Sequence, residues 1–496
     1  MKRKRILFYS GLAFFTLTLS LLWMCKPAEQ KPSGAYYVDA SAEAGGNGSE
    51  KSPFRTIMEG VNAAQPGETV WILPGEYDEE MSTQRDGLPG QPITIRSFIS
   101  AEAPEGAEPG WVPEDDSKRV WVRREGRGLD ILHSHIVVDG INVDGLWHSN
   151  SYIDGDGIFR DSTVNGLYPS GTNGIVRINK ETESTVLRNI EIKNNQLHLV
   201  RAHGNNIQID NARIHSAISR TINSPAPQPG IVTMNDNFRD AHGIESSNAN
   251  GLTIINTYIG YISGDCVQSG RSVWNDLTIE NCNFEMKPLA EPILGCPAGT
   301  WFGEDLYDTK TPERGQNGAK FNKGVTWRNN LLHGTRYSRI LHGAVLNLKE
   351  GVEGILVEGN RIYDNRMTFR LRQPTTGYIF RNNFIYGNET VFRFEGPVDN
   401  VQILNNTFYG NKVAVTESDS GATGSVISNN IFANGPHEID LKPPHIKWEH
   451  NLFYEVATKQ GEDIIEKNPL FTDSKNYDFS LLPASPALPL GIGVSK

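Results

Sequence analysis

Apolar and polar positions alternate in short bursts along this chain, and the bursts recur. Eight segments, starting at Leu252, Leu277, Val325, Ile355, Tyr378, Val401, Ser425 and Ile446, read LTIINTYI, LTIENCNF, VTWRNNLL, ILVEGNRI, YIFRNNFI, VQILNNTF, SVISNNIF and IKWEHNLF. Two earlier copies are TVLRNIEI from Thr185 and IQIDNARI from Ile207. From Val325 on, the starts step by 30, 23, 23, 24 and 21 residues. Short strands at a period in the low twenties predict a solenoid. The third positions (Ile254, Ile279, Trp327, Val357, Phe380, Ile403, Ile427, Trp448) and the eighth (Ile259, Phe284, Leu332, Ile362, Ile385, Phe408, Phe432, Phe453) are apolar and predict two stacks inside the core. One rung cannot bury its own apolar face, so stacking supplies that core. Between the two columns lies an Asn corner: Asn330, Asn360, Asn383, Asn406, Asn430 and Asn451. Asn tolerates the left-handed backbone of a tight bend, and stacked Asn side chains can pair along an axis. Leucine-rich spacing and helical 3.6 periodicity are absent. The pattern predicts an all-β chain, a right-handed parallel β-helix, with a short amphipathic helix over Thr56–Ala64 capping its N-terminal end.

Composition fits one long domain. Charged residues are 21% and hydrophobic ones 38%, which excludes disorder and a polytopic membrane protein. Residues 1–25 read as an export signal, with cations from Lys2 to Arg5 and an apolar run from Ile6 to Met24. A spacer of 26–34 follows, then the β-helix over 35–480 and a tail over 481–496. Without the four cations of residues 1–24, the net charge of −11 becomes −15, which argues against nucleic acid as a partner. Cys266, Cys282 and Cys296 match no zinc spacing and are expected to be small core residues, with at most one bridge among them. Loops are expected at 101–119, from Ser224, from Met286 to Gly303 and from Pro312 to Lys323; the last three flank one stretch of the solenoid. The segment NPLF followed by YDFSLLPASPAL reads as a closing strand and cap.

Candidate chemistry comes from stacking the strand cores GIESS, CVQSG, LYDTK, VLNLK, TFRLR and VFRFE, which begin at Gly243, Cys266, Leu306, Val345, Thr368 and Val391. Alternation sends their second and fourth members inward and their third and fifth outward. The outward columns are Glu245, Gln268, Asp308, Asn347, Arg370, Arg393 and Ser247, Gly270, Lys310, Lys349, Arg372, Glu395. A basic stripe on an acidic chain suits an anionic ligand. A solvated face whose charges pair across strands would use the same residue types. Within GEDLYDTK, Glu304, Asp305 and Asp308, with Asp265 or Gln268 from the preceding rung, offer oxygens of the kind Ca²⁺ takes. Trp301, Tyr337 and Trp274 are candidates for stacking on sugar rings. Paired carboxylates also leave open a glycoside hydrolase, and the solenoid alone leaves open a non-catalytic surface glycan binder.

Three resemblances sharpen this picture. The segment after the apolar run, with Cys25, is similar to a bacterial lipoprotein signal. That implies a lipidated Cys25 on a protein of the bacterial cell envelope; an uncleaved signal anchor is the alternative, and either places residues 35–496 outside the cytoplasm, membrane-anchored or secreted. The opening from Tyr36 to Tyr77 resembles bacterial β-helix carbohydrate-active proteins. Residues Gly303 to Arg366 resemble the chondroitinase-B/alginate lyase family of polysaccharide lyases. The likeness implies Glu304 and Asp305 as calcium ligands, Lys310 as the catalytic base and Lys349 where the family has a catalytic Arg. The acidic pair is adjacent here and separated by one residue in the family. Activity on a uronic-acid polymer by β-elimination is implied, with Lys310 needing a lowered pKa, Arg370, Arg372 and Arg393 meeting the anionic chain, and the protein acting as a monomer.

Overall fold

The computed structural model describes residues 34–494 apart from 148, 157, 163–171, 233–236, 271, 311–321, 350, 373–374, 418–421 and 441–445. The export segment with Cys25 and most of the loop at 312–323 therefore lie outside the described residues.

The described chain is a parallel β-helix. The two apolar columns stack rung on rung, as the repeat predicts. The register pairs Ile254 with Ile279, Ile279 with Trp327, Trp327 with Val357, Val357 with Phe380, Phe380 with Ile403 and Ile403 with Ile427. The second column runs from Ile259 through Phe284, Leu332, Ile362, Ile385 and Phe408 to Phe432. All of these residues are buried in one continuous core that begins at Val38 and ends at Phe453.

The Asn corner is a hydrogen-bonded ladder. Each Asn side chain donates to the amide oxygen of the next rung: Asn330 to Asn360 at 2.9 Å, Asn360 to Asn383 at 2.9 Å, Asn383 to Asn406 at 2.9 Å and Asn406 to Asn430 at 3.1 Å. Left-handed backbone is supplied by the preceding residue instead, at Asn329, Asn382, Asn405 and Asn429. The division is physical: the bend needs positive φ at one residue, and the buried amide must face along the axis at the next. A second ladder, Asn365–Asn388–Asn411, occupies the following corner.

A seven-residue helix, Ile57–Ala63, buries Ile57 and Val61 in the main core and starts with a capping box between Thr56 and Glu59. The C-terminal segment takes a course the sequence pattern does not announce. Its hairpin, Phe471–Asp473 with Asp478–Leu481, lies along the flank of the solenoid, where Phe479 packs on Tyr386 and Tyr409. The loops around 224 and 286–303 share a small separate core of Ile218, Phe238, Leu289, Cys296 and Phe302. All three described cysteines are free and buried.

Candidate active site

The site lies on a twelve-stranded parallel sheet, one face of the solenoid. Its register places Glu245, Gln268, Asp308, Asn347, Arg370 and Arg393 directly above one another. At the middle of this column the Asp308 carboxylate holds two ammonium groups. Lys310 Nζ lies 2.5 Å from Oδ2, and Lys349 Nζ lies 2.8 Å from Oδ1. Both lysine backbones are pinned: the Lys310 N–H donates to the Ser269 carbonyl, and the Lys349 N–H to the Thr309 hydroxyl. Trp274, a candidate sugar platform in the sequence, is buried and donates its indole N–H to the Lys310 carbonyl, so it supports the site from inside. The expectation that the third column faces solvent holds only in part. Arg370 and Arg393 are half-buried, whereas Asp308 and Asn347 are buried, 3% and 4% exposed. Their packed neighbours and the long lysine stems cover them.

A third ladder, of imidazoles and carboxylates, turns the corner just before these strands. His198 Nδ1 accepts the His242 N–H at 3.0 Å, and His242 Nδ1 accepts the Asp265 N–H at 3.0 Å. Asp265 Oδ1 accepts the Asp305 N–H at 3.1 Å, and Asp305 Oδ1 accepts the Ala344 N–H at 2.6 Å. The two imidazoles stack, with centroids 4.6 Å apart. The remaining carboxylate oxygens orient the outer column, because Asp265 Oδ2 takes the Gln268 amide and Asp305 Oδ2 takes the Asn347 amide, each at 2.9 Å. Asn347 Oδ1 is left buried without a partner.

Beyond that corner, a cleft of 470 Å³ is lined by Leu197, Phe238, Asp240, Glu304, Arg339 and Ile340. The buried Arg339 guanidinium pairs with Glu304 and lies 3.4 Å from Asp240. Burial, with Asp265 and Asp240 nearby, pushes the Glu304 carboxyl up to about 9 against the pull of Arg339. Asp240 is held below the usual carboxylate value, against a desolvation cost, by its hydrogen bond with Glu304, by His242 and by Arg339. Burial and the charges of Asp265 and Asp308 push Asp305 up to about 8, and burial and Asp308 push Asp265 up to about 7. Burial keeps His242 neutral, at about 4.

Lys310 departs from expectation in the direction of its shift. Burial opposes its charge, yet Asp308 and Asp265 outweigh burial and hold its pKa above the ordinary lysine value. The lowered pKa expected of it is therefore not found in the free protein.

The four acids expected to hold Ca²⁺ are neighbours in space but do not converge. Among the described residues, no three His, Cys, Asp or Glu side chains are grouped as ligands for a metal ion. Glu304 faces Arg339, Asp308 holds the lysines, and Asp265 and Asp305 are committed to the corner ladder. As arranged, this donor set does not fit a calcium site.

Arg370, Arg372 and Arg393 gather around a single carboxylate, Glu395, at 3.0, 3.2 and 2.8 Å. Charge pairing across strands is thus present, yet three cations on one anion leave the patch positive. Trp301 and Tyr337 stand together edge to face, 5.8 Å between centroids, with Arg366 over the Trp301 ring. The sequence reading missed His198, His242, Asp240 and Arg339. A usable signal existed in the stacked cores: two residues before each strand's first inward position stand His198, His242, Asp265 and Asp305.

No protein-family model matches the chain. It is 22% identical over 501 residues to "Uncharacterized protein YwoF" of Bacillus subtilis (strain 168), covering 96% of this chain and 97% of that one. Among solved structures it is similar to the PL6 family alginate lyase AlyGC, with a TM-score of 0.56 and 16% identity over 88% of this chain. The chain spans 55% of that lyase's length. It is also similar to a mannuronic acid specific polysaccharide family 6 lyase from human gut microbiota, with a TM-score of 0.51 and 13% identity, covering 86% of this chain and 87% of that one. At these identities the likeness is one of fold: this chain has the parallel β-helix that polysaccharide lyases of family 6 share.

Proposed function

We propose that the protein is a polysaccharide lyase that cleaves a uronic-acid-containing polymer by β-elimination. The observation that carries this reading is the Asp308 carboxylate with its two lysines, on an open sheet face beside an arginine cluster. The fold it shares with polysaccharide lyases supports the reading.

In this scheme Lys310 takes the C5 proton, the C–H electrons form the C4–C5 double bond, and the bond from C4 to the linking oxygen breaks, its electron pair leaving with the oxygen, which takes up a proton from the new Lys310 ammonium or from water. Lys349 and Arg372 meet the sugar carboxylate, whose neighbouring carbon gains negative charge as the proton leaves. Fixed cations at that point stabilise the transition state more than the ground state. Lys310 acts only in its neutral form, and the anions around it make that form scarce at neutral pH. The polymer lies against Arg370, Arg372 and Arg393, and the Trp301–Tyr337 pair offers a ring platform. Export through residues 1–25, lipidation at Cys25, a monomeric state and an N-terminal cap formed by the helix Ile57–Ala63 belong to the same reading.

The rival hydrolase reading draws less support. Its acid pairs are spoken for, since Asp240 and Glu304 bond to each other and Asp265 and Asp305 serve the ladder. The test is a panel of uronate polysaccharides followed by ultraviolet absorbance. Elimination gives an absorbing unsaturated end, hydrolysis gives new reducing ends without absorbance, and a binding protein gives neither.

A further inference from the structure

We infer that the positive charge this site presents is built into the chain: Lys349 on Asp308, with Arg339 on Glu304, fills the role for which a calcium ion was expected, and the acids beneath them take up none. The argument is an account of oxygen atoms. Ca²⁺ takes about 6–8 oxygen ligands. Asp265 gives one oxygen to the Asp305 N–H and the other to Gln268. Asp305 gives one to the Ala344 N–H and the other to Asn347. Asp308 gives both to ammonium groups, and Glu304 is engaged by Arg339. Seating an ion among them would break a buried ladder or evict a lysine. Among the described residues, two buried acceptors here lack a hydrogen-bond partner, the neutral Asn347 Oδ1 and Asp308 Oδ1, and the second already lies 2.8 Å from the Lys349 ammonium. Lys349 is also well placed to substitute. Its side chain is 12% exposed, so its charge acts from a partly desolvated position, where it counts for more than on open surface.

The first experiment needs no substrate. The full chain is stripped with EDTA, dialysed and titrated with CaCl₂ by calorimetry, alongside a thermal scan. No saturable heat and an unchanged melting temperature are expected. Saturable heat that disappears in Asp305→Asn or Asp308→Asn overturns the inference; Asn at 305 keeps the ladder acceptor, so that variant should fold. Heat that survives both substitutions places the ion elsewhere and leaves the inference standing. The second arm rests on the lyase reading and measures binding of a polyuronate in EDTA. Lys349→Met should weaken it about tenfold, as expected for one lost charge-assisted contact, and Lys349→Arg should restore it. Binding by Lys349→Met equal to wild type overturns the substrate half. A wild-type protein that binds no polyuronate defeats the lyase reading, while the calcium arm still decides its own question.

Discussion

Two corners of this solenoid do the same mechanical job with different chemistry. From Asn330 to Asn451 the corner is a row of neutral amides, each accepting a backbone N–H and donating to its neighbour. On the site sheet the acceptors are His198, His242, Asp265 and Asp305, one per rung. Both ladders close the backbone ledger of a buried bend, which is costly to leave open. Only the second carries titratable groups. An amide row would stabilise the corner without shifting any neighbour's pKa; in the acidic one burial, helped by repulsion from neighbouring carboxylates, raises the carboxyl values, and Asp265 adds to the hold of Asp308 on the Lys310 charge. The titratable ladder underlies the stretch of the solenoid where the proposed site lies.

The comparison can be broken most severely at Lys310. Lys310→Ala should lower turnover by about 10²–10⁴-fold while polymer binding survives on the arginine cluster. Steady-state kinetics beside a binding isotherm check it.

Next comes stability. Asn383→Ala removes an acceptor in the middle of the amide ladder, strands the Asn360 backbone N–H and should cost about 2–4 kcal/mol in urea unfolding. Asp305→Asn keeps its acceptor and stands in for a carboxyl that burial already holds protonated at neutral pH, so its cost should stay under about 1 kcal/mol. Equal losses from the two substitutions would erase the distinction between the corners.

A smaller effect is pH dependence. Folding raises the carboxyl values of Asp265, Asp305 and Glu304 to about 7, 8 and 9, so between the unfolded value and these the native state binds more protons than the unfolded one. The stability these groups contribute is therefore present at low pH. It falls as pH rises from about 4 through 9. Melting scans across that range should show the fall, and Asp305→Asn should flatten it. The smallest change is expected from Tyr337→Phe, which keeps the ring against Trp301 and should leave KM within about twofold.

How much of this was legible in the sequence follows from what sets each side chain's direction. Strand alternation and stacking fix the inward columns, so Ile254 to Ile427 could be aligned from the repeat, and the same alignment gave the outer column from Glu245 to Arg393. Corner and loop residues obey no such rule. His198 and His242 sit just outside the strand cores, and Arg339 reaches the cleft after the short turn at Thr335–Tyr337, so neither period predicts where they point. The acids Glu304 and Asp305 stand out by their spacing in GEDLYDTK, but their partners do not. Spacing shows that carboxylates are close in sequence; it does not show which backbone N–H or cation each one meets.

The central claim is that Lys310 is the base and that the carboxylates around it hold it in its charged form. The most direct test is a pH–rate profile on a uronate polymer in EDTA, wild type against Lys310→Ala, read by the unsaturated product. The account predicts a wild-type kcat/KM that climbs about tenfold per pH unit above neutrality without a plateau below pH 10, and a variant with no such limb. A wild-type profile that is flat from neutrality upward, or a Lys310→Ala variant at wild-type rates, would contradict it.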